Sequence, residues 1–158
     1  MKFFHMANTY TQIHLQLVFA VPNRNSLIKN QWKDELFQYI TGTIQNHGHK
    51  LIIINSMPDH IHLLIGMRPI ESLSHLVQHI KQDSSKWINS NRLVDSKFKW
   101  QEGYGGFSYA KSQIPAVINY IKNQEIQHKR KSFIEEYKEF LEKFELAFDE
   151  RYIFKRVL

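Results

Sequence analysis

The chain has 158 residues, 42% hydrophobic and 23% charged, which is the length and balance of one globular domain with a core of its own. Cysteine is absent, so disulfides, thiolate nucleophiles and cysteine-based zinc sites are excluded. The net charge of +6 favours a polyanionic partner such as nucleic acid, and no apolar run approaches the ~18 residues of a membrane helix. A single cytoplasmic domain spanning residues 1–158, with no membrane contact, is the expectation.

Taken in order, Thr11 to Val21 alternates, with Ile13, Leu15, Leu17 and Phe19 on one face and Gln12, His14 and Gln16 on the other. That is a half-buried strand. The segment Val21-Pro22-Asn23-Arg24-Asn25 breaks it. A helix is predicted from about Lys29 to Asn46, with the stripe Trp32, Leu36, Phe37, Ile40 and Ile44 and with Gly48 closing it. Lys50 to Asn55 reads as a second strand. A short turn at Ser56-Met57-Pro58-Asp59 makes the next strand its antiparallel neighbour.

That third strand is His60-Ile61-His62-Leu63-Leu64-Ile65. Alternation sends Ile61, Leu63 and Ile65 one way and both histidines the other. Ser72 caps a helix with the stripe Leu73, Leu76, Val77, Ile80, Trp87 and Ile88. Phe98 to Ala110 mixes aromatics with Gly103, Gly105 and Gly106 and reads as one or two short strands. Strand, helix, strand, strand, helix, strand is the split βαβ pattern of a ferredoxin-like α+β domain. Its first and third strands are adjacent, two helices cover one sheet face, and the other face is left open. Two amphipathic helices follow, from about Ser112 to His128 and from about Ser132 to Phe148. The second has a face of Phe133, Ile134, Tyr137, Phe140, Leu141 and Phe144.

On the open face, His60 and His62 supply two neutral nitrogen ligands and Gln124 an amide oxygen, a set able to hold one metal ion and leave positions for phosphate and water. Tyr120 lies one helical turn before Gln124 and brings a phenol to the same place. A metal-polarised phosphate could then be attacked by that phenol. The same residues also fit solvated strand histidines, a packed tyrosine and a surface glutamine. Candidate DNA contacts are the basic run Lys129, Arg130 and Lys131, with Lys81 and Lys86 on the second helix. Tyr104 is a candidate for stacking on unpaired bases.

In motif order the sequence resembles the single-tyrosine HUH transposases of the IS200/IS605 type. The His-hydrophobic-His signature is Pro58-Asp59-His60-Ile61-His62-Leu63-Leu64. The glycine-aromatic block is Trp100-Gln101-Glu102-Gly103-Tyr104-Gly105-Gly106-Phe107-Ser108. The tyrosine signature is Tyr120-Ile121-Lys122-Asn123-Gln124 with His128 after it, and Phe133-Ile134-Glu135-Glu136-Tyr137 resembles the segment that follows. The resemblance runs from about Thr9 to Phe144. It implies a single-stranded DNA nuclease and strand transferase in which Tyr120 forms a 5′-phosphotyrosine link. It further implies Mg²⁺ or Mn²⁺, recognition of hairpins at the ends of an insertion sequence, and a homodimer whose tyrosine helices complete each other's sites in trans.

Other readings of the same sequence are a domesticated transposase acting on repetitive extragenic hairpins, a ferredoxin-like nucleic-acid-binding module without catalysis, and a metal-dependent hydrolase that uses water. Gln124, where a second tyrosine would stand, argues against a two-tyrosine relaxase. Asp149 to Phe154 is read as able to pack back on the domain.

Overall fold

The computed structural model describes residues 9–22 and 27–149. Part of the turn expected around Asn23 to Asn25, and most of the segment expected to pack back after Asp149, lie outside these residues.

Four strands form one antiparallel sheet: β1 (His14–Ala20), β2 (Lys50–Met57), β3 (His60–Gly66) and β4 (Gly105–Tyr109), in the order β2-β3-β1-β4. The strand order and the central β1–β3 pair are those of the split βαβ pattern. In the β1–β3 register Val18 faces His62 and Ala20 faces His60. The alternation read in the sequence therefore carries through: Leu17, Phe19, Ile61, Leu63 and Ile65 enter a core on one face. Helices α1 (Lys33–Asn46) and α2 (Leu73–Ser90) cover that face with Leu36, Ile40, Ile44, Leu76, Val77 and Ile80. Ser72 caps α2 by accepting the His75 backbone N–H at 3.1 Å. Gly48, at φ +88°, takes the left-handed position just past α1 that a side chain would strain.

The stretch from Phe98 to Tyr104 is an irregular arm and not a strand. It packs by its aromatics: Trp100 meets Phe19 edge-on at 4.8 Å, and its indole N–H donates to Ser84 Oγ at 2.8 Å. Of the stretch from Phe98 to Ala110, only β4 joins the sheet, beside β1.

The second sheet face is not open. Helices α3 (Ile114–Lys122), α4 (Gln124–His128) and α5 (Phe133–Lys143) lie over it. Two small cores hold them there. Phe133, Tyr137 and Leu141 pack on Val18, Ala20 and Phe107, and Val117 and Ile121 pack on Leu64. The predicted helix from Ser112 to His128 is broken at Asn123. The cause lies on β2. The Asn55 side chain donates to the Ile121 carbonyl at 2.8 Å and to that of Lys122 at 3.4 Å, oxygens that a continuous helix would give to its own next turn. Asn55 reaches this face because β2 shifts register between Leu51 and Ile53. Leu51 then serves the first core, while Ile53 serves the second and Asn55 the helices above it. Helix α5 starts at the Ser132 cap and ends earlier than expected, where Glu145 turns left-handed at φ +54°.

Candidate metal and tyrosine site

Between the two small cores the polar residues of the second face meet. His60 and His62 are fully buried, as are Gln16 beside them on β1 and Gln124 at the start of α4. The break at Asn123 turns α4 so that Gln124 and His128 both point inward. Gln124 Oε1 lies 3.0 Å from His128 Nε2 and 3.4 Å from His60 Nε2. From α5 comes Glu136, 3% exposed. Its Oε1 lies 3.1 Å from His62 Nε2, 3.2 Å from His128 Nε2 and 3.4 Å from His60 Nε2. Its Oε2 accepts from Gln124 Nε2 at 3.2 Å and from the Tyr120 hydroxyl.

One carboxylate oxygen offers about two lone pairs. Three imidazole nitrogens aimed at the same oxygen exceed what hydrogen bonding can satisfy. The nitrogens and the carboxylate lie within 4.8 Å of one another, as the ligands of one cation do. His60 is prepared for that role: its Nδ1–H has Asp59 Oδ1 as acceptor at 2.7 Å, leaving Nε2 as the lone-pair atom when the ring is neutral. The ring also stacks on Phe133 at 4.0 Å between centroids. The donor set therefore fits a divalent metal.

His62 is held differently. As its amide is assigned, Gln16 donates from Nε2 to His62 Nδ1 at 2.8 Å and accepts from the Tyr109 hydroxyl at 2.9 Å. That tautomer places the proton on Nε2, toward Glu136. Turning the amide over makes Gln16 Oε1 the acceptor of Nδ1–H and frees Nε2 as a ligand. Tyr109 can serve either arrangement, because a hydroxyl both donates and accepts.

The electrostatics follow from burial and from Glu136. Burial pushes the His60 pKa down, but Asp59 and Glu136 outweigh it and the result is raised. At His62 burial wins over Glu136, and the pKa is lowered. Burial would raise the Glu136 carboxyl, yet hydrogen bonds from His128, His60 and His62 hold it far below the usual range. Burial, then the charge and hydrogen bond of Glu136, push the Tyr120 phenol well above the ordinary tyrosine value. A cleft of about 550 Å³ opens onto Tyr120 and Glu136, with Gln16, Tyr109 and Lys143 on its wall.

The fold thus brings together His60, His62, Gln124 and Tyr120, read from the sequence, and adds His128 and Glu136. The sequence reading placed both in matching segments but gave neither a role as a metal ligand. Glu136 had a signal of its own. It sits three residues after Phe133 and four before Phe140, within an otherwise apolar stripe, where a charge must be buried and partnered. The candidate DNA contacts are not brought together. Lys129 and Arg130 are exposed beside His128, and Lys131 pairs with Glu139 at 2.6 Å. Lys81 and Tyr104 lie in the α2 layer on the far side of the sheet. There Lys81 donates to the carbonyls of Gln101 and Gly103 at 2.9 and 2.6 Å, and Tyr104 bonds Ser74 at 3.0 Å. Burial lowers the Lys81 pKa to about 8. Lys86 is exposed on the same helix.

A buried histidine pair on a ferredoxin-like sheet, met by a tyrosine from a covering helix, defines an HUH nuclease site. Residues 9–124 match the sequence model of the family described as Transposase IS200 like. The ISDra2 transposase TnpA of Deinococcus radiodurans is 25% identical over 118 residues, covering 72% of this chain and 84% of that protein. A crystal structure of a candidate transposase from the same organism superposes with a TM-score of 0.62 at 20% identity, over 78% of this chain and 98% of the other. A REP-associated tyrosine transposase bound to a REP hairpin superposes with a TM-score of 0.60 at 13% identity, over 100% and 99% of the two chains. These two structures share the fold. The chain belongs to the IS200-like transposase family: it is a single-tyrosine HUH transposase, an enzyme acting on single-stranded DNA.

Proposed function

We propose that this chain nicks and rejoins single-stranded DNA at hairpin-bearing ends of an insertion sequence, with Tyr120 as nucleophile. The convergence of the Tyr120 hydroxyl and three imidazoles on Glu136 carries the reading, because they reach it from three separate elements, β3, α3 and α4. His60, His62 and His128, with Glu136 and Gln124, would hold a divalent ion. Bound there, such an ion polarises the scissile phosphate and stabilises the charge that builds on its oxygens. The nitrogen-rich set suits Mn²⁺ better than Mg²⁺, which prefers oxygen ligands.

Tyr120 Oη forms a bond to phosphorus as the bond from phosphorus to the 3′-oxygen breaks. The phenol proton has Glu136 Oε2 as its acceptor, and the released 3′-oxygen takes up a proton. The 5′-phosphotyrosine link conserves the bond energy, so a later 3′-hydroxyl can reverse the step and join a new strand. Phenol activation cannot come from Glu136 alone, since a carboxylate with so low a pKa is a weak base. The hairpin in the REP-associated relative supports hairpin DNA as the substrate. Because that fold aligns over the whole chain, a domesticated enzyme acting on repetitive hairpins stands beside the insertion-sequence reading.

We further propose a homodimer that exchanges the tyrosine helix α3 together with α4 and α5. The site closes in cis within one chain, but Ile126 on α4 and Leu146 and Phe148 after α5 remain exposed at 59%, 47% and 36%. Mixing Tyr120→Phe with His60→Ala protein tests the exchange. If sites are shared, heterodimers regain metal-dependent nicking of hairpin DNA. No rescue, with subunit exchange shown independently, refutes the trans arrangement and leaves the cis site.

A further inference from the structure

A second histidine cluster lies on the other side of the sheet, where the end of α1 meets the start of α2. His47 follows the last turn of α1, Glu71 precedes the Ser72 cap, and His75 and His79 stand four apart on α2. None of them reaches the tyrosine site, which lies under α3 to α5.

One ligand atom each of His47, Glu71 and His75 lies within 4.8 Å of the others, and His79 adjoins them. His75 Nε2 and His79 Nε2 face each other at 3.2 Å. Two nitrogens each ~2.0–2.1 Å from one tetrahedral zinc ion are separated by about 3.4 Å. The His79 ring lies 5.0 Å from that of His47 and 4.4 Å from that of His75, centroid to centroid. Behind the rings stands one carboxylate. Glu71 accepts from His75 Nδ1 at 2.6 Å and from His47 Nδ1 at 3.0 and 3.1 Å. A proton on Nδ1 of His75 and of His47 leaves the Nε2 of those two rings as a lone pair, the carboxylate–histidine arrangement that orients metal ligands.

Glu71 is itself fixed. The backbone N–H of Arg68 donates to His49 Nδ1 at 3.0 Å, so the His49 proton sits on Nε2 and is donated to Glu71 Oε1 at 2.6 Å. His49 has a fully buried side chain, whereas His75 is 54% exposed. A rigid inner anchor thus supports an outer edge that an ion can reach.

We propose that His47, His75 and His79 bind a divalent transition-metal ion of the zinc class, oriented by Glu71 and clamping α1 to α2. Imidazole ligands select this class over Mg²⁺ or Ca²⁺.

The test is Zn²⁺ stoichiometry and affinity by chelator competition on the full chain, parent against His75→Ala/His79→Ala. Both substituted side chains sit at the outer surface of α2, and circular dichroism checks that the fold is kept. The double variant should bind one Zn²⁺ fewer per chain than the parent, and zinc should raise its melting temperature less. His79→Ala alone should weaken that equivalent by at least the ~10–100-fold that even outer-shell losses cause. A full chain carrying His60→Ala and His62→Ala should keep this equivalent. Equal stoichiometry in parent and double variant overturns the proposal, as does an extra equivalent seen only at millimolar Zn²⁺.

Discussion

Glu136 decides the chemistry of the site, and Gln16 sets its readiness. A carboxylate facing three imidazoles and a phenol is stable only if the whole group shares protons or a cation. His62 can ligate only when Gln16 accepts from its Nδ1–H, so metal binding at His62 is coupled to the orientation of the Gln16 amide. Gln16→Leu removes the acceptor, and the affinity of the tyrosine site for Mn²⁺ should fall by ~10–100-fold. Gln16→Glu offers an acceptor only and should keep or tighten that affinity. Calorimetric titration of the two variants checks this. If Gln16→Leu binds Mn²⁺ like the parent, the tautomer of His62 is set elsewhere.

At the scale of elements, the second sheet face depends on close approach between β4 and α5. A Cβ added at Gly105 would meet the Tyr137 hydroxyl at 2.8 Å and the Phe107 ring at 2.9 Å. Gly105→Ala should therefore destabilise the chain by about 1–3 kcal/mol, read as a lower denaturation midpoint with an unchanged slope. A parent-like midpoint would mean that α5 sits further from the sheet. The sequence made some of these elements plain and hid others, for physical reasons. Strand alternation at Leu15 to Phe19 and Ile61 to Ile65, and the cap at Ser72, are local signals and survive into the structure. The irregular path of Phe98 to Tyr104 is set by Trp100 finding Phe19 and Ser84, contacts remote in sequence. The break at Asn123 is caused by Asn55, and Asn55 is placed by a register shift that no alternation pattern records. The covering of the second face rests on Phe133, Tyr137 and Leu141, whose stripe was visible while its docking surface was not. His60, His62, Tyr120 and Gln124 were legible as a group, but only their covering by α4 and α5 reveals His128 and Glu136.

For the whole molecule, helices cover both faces of the sheet, and the tyrosine site lies on the α3 to α5 side. Among the described residues no helix is long and apolar enough to cross a membrane. Among the described residues, cations stand on both sides of the sheet, Lys81 and Lys86 on α2 and Lys129 and Arg130 beside the tyrosine site, so which side meets DNA is a question of local cations. Lys129 and Arg130 are exposed beside the site, while Lys131 is engaged by Glu139 and Lys81 by two carbonyls. Single-strand binding should weaken with salt at a log–log slope of ~0.7 per phosphate neutralised. Lys129→Ala and Arg130→Ala should each lower that slope by about this amount, and Lys131→Ala or Lys81→Ala by less. Fluorescence anisotropy over a salt series measures it. Equal effects at all four positions would place the DNA across both sides of the molecule.

The most direct measurement is of the covalent link itself. Single-stranded hairpin DNA labelled on the 3′ side of the break, incubated with protein and Mn²⁺ or Mg²⁺, should give a labelled protein adduct that survives denaturation. Peptide mapping should place the nucleotide on Tyr120. Tyr120→Phe keeps the ring and loses only the hydroxyl, so it should still bind DNA yet form no adduct and make no cut. An adduct on any other residue, or cleavage by Tyr120→Phe, would contradict the assignment, and the latter would make water the nucleophile.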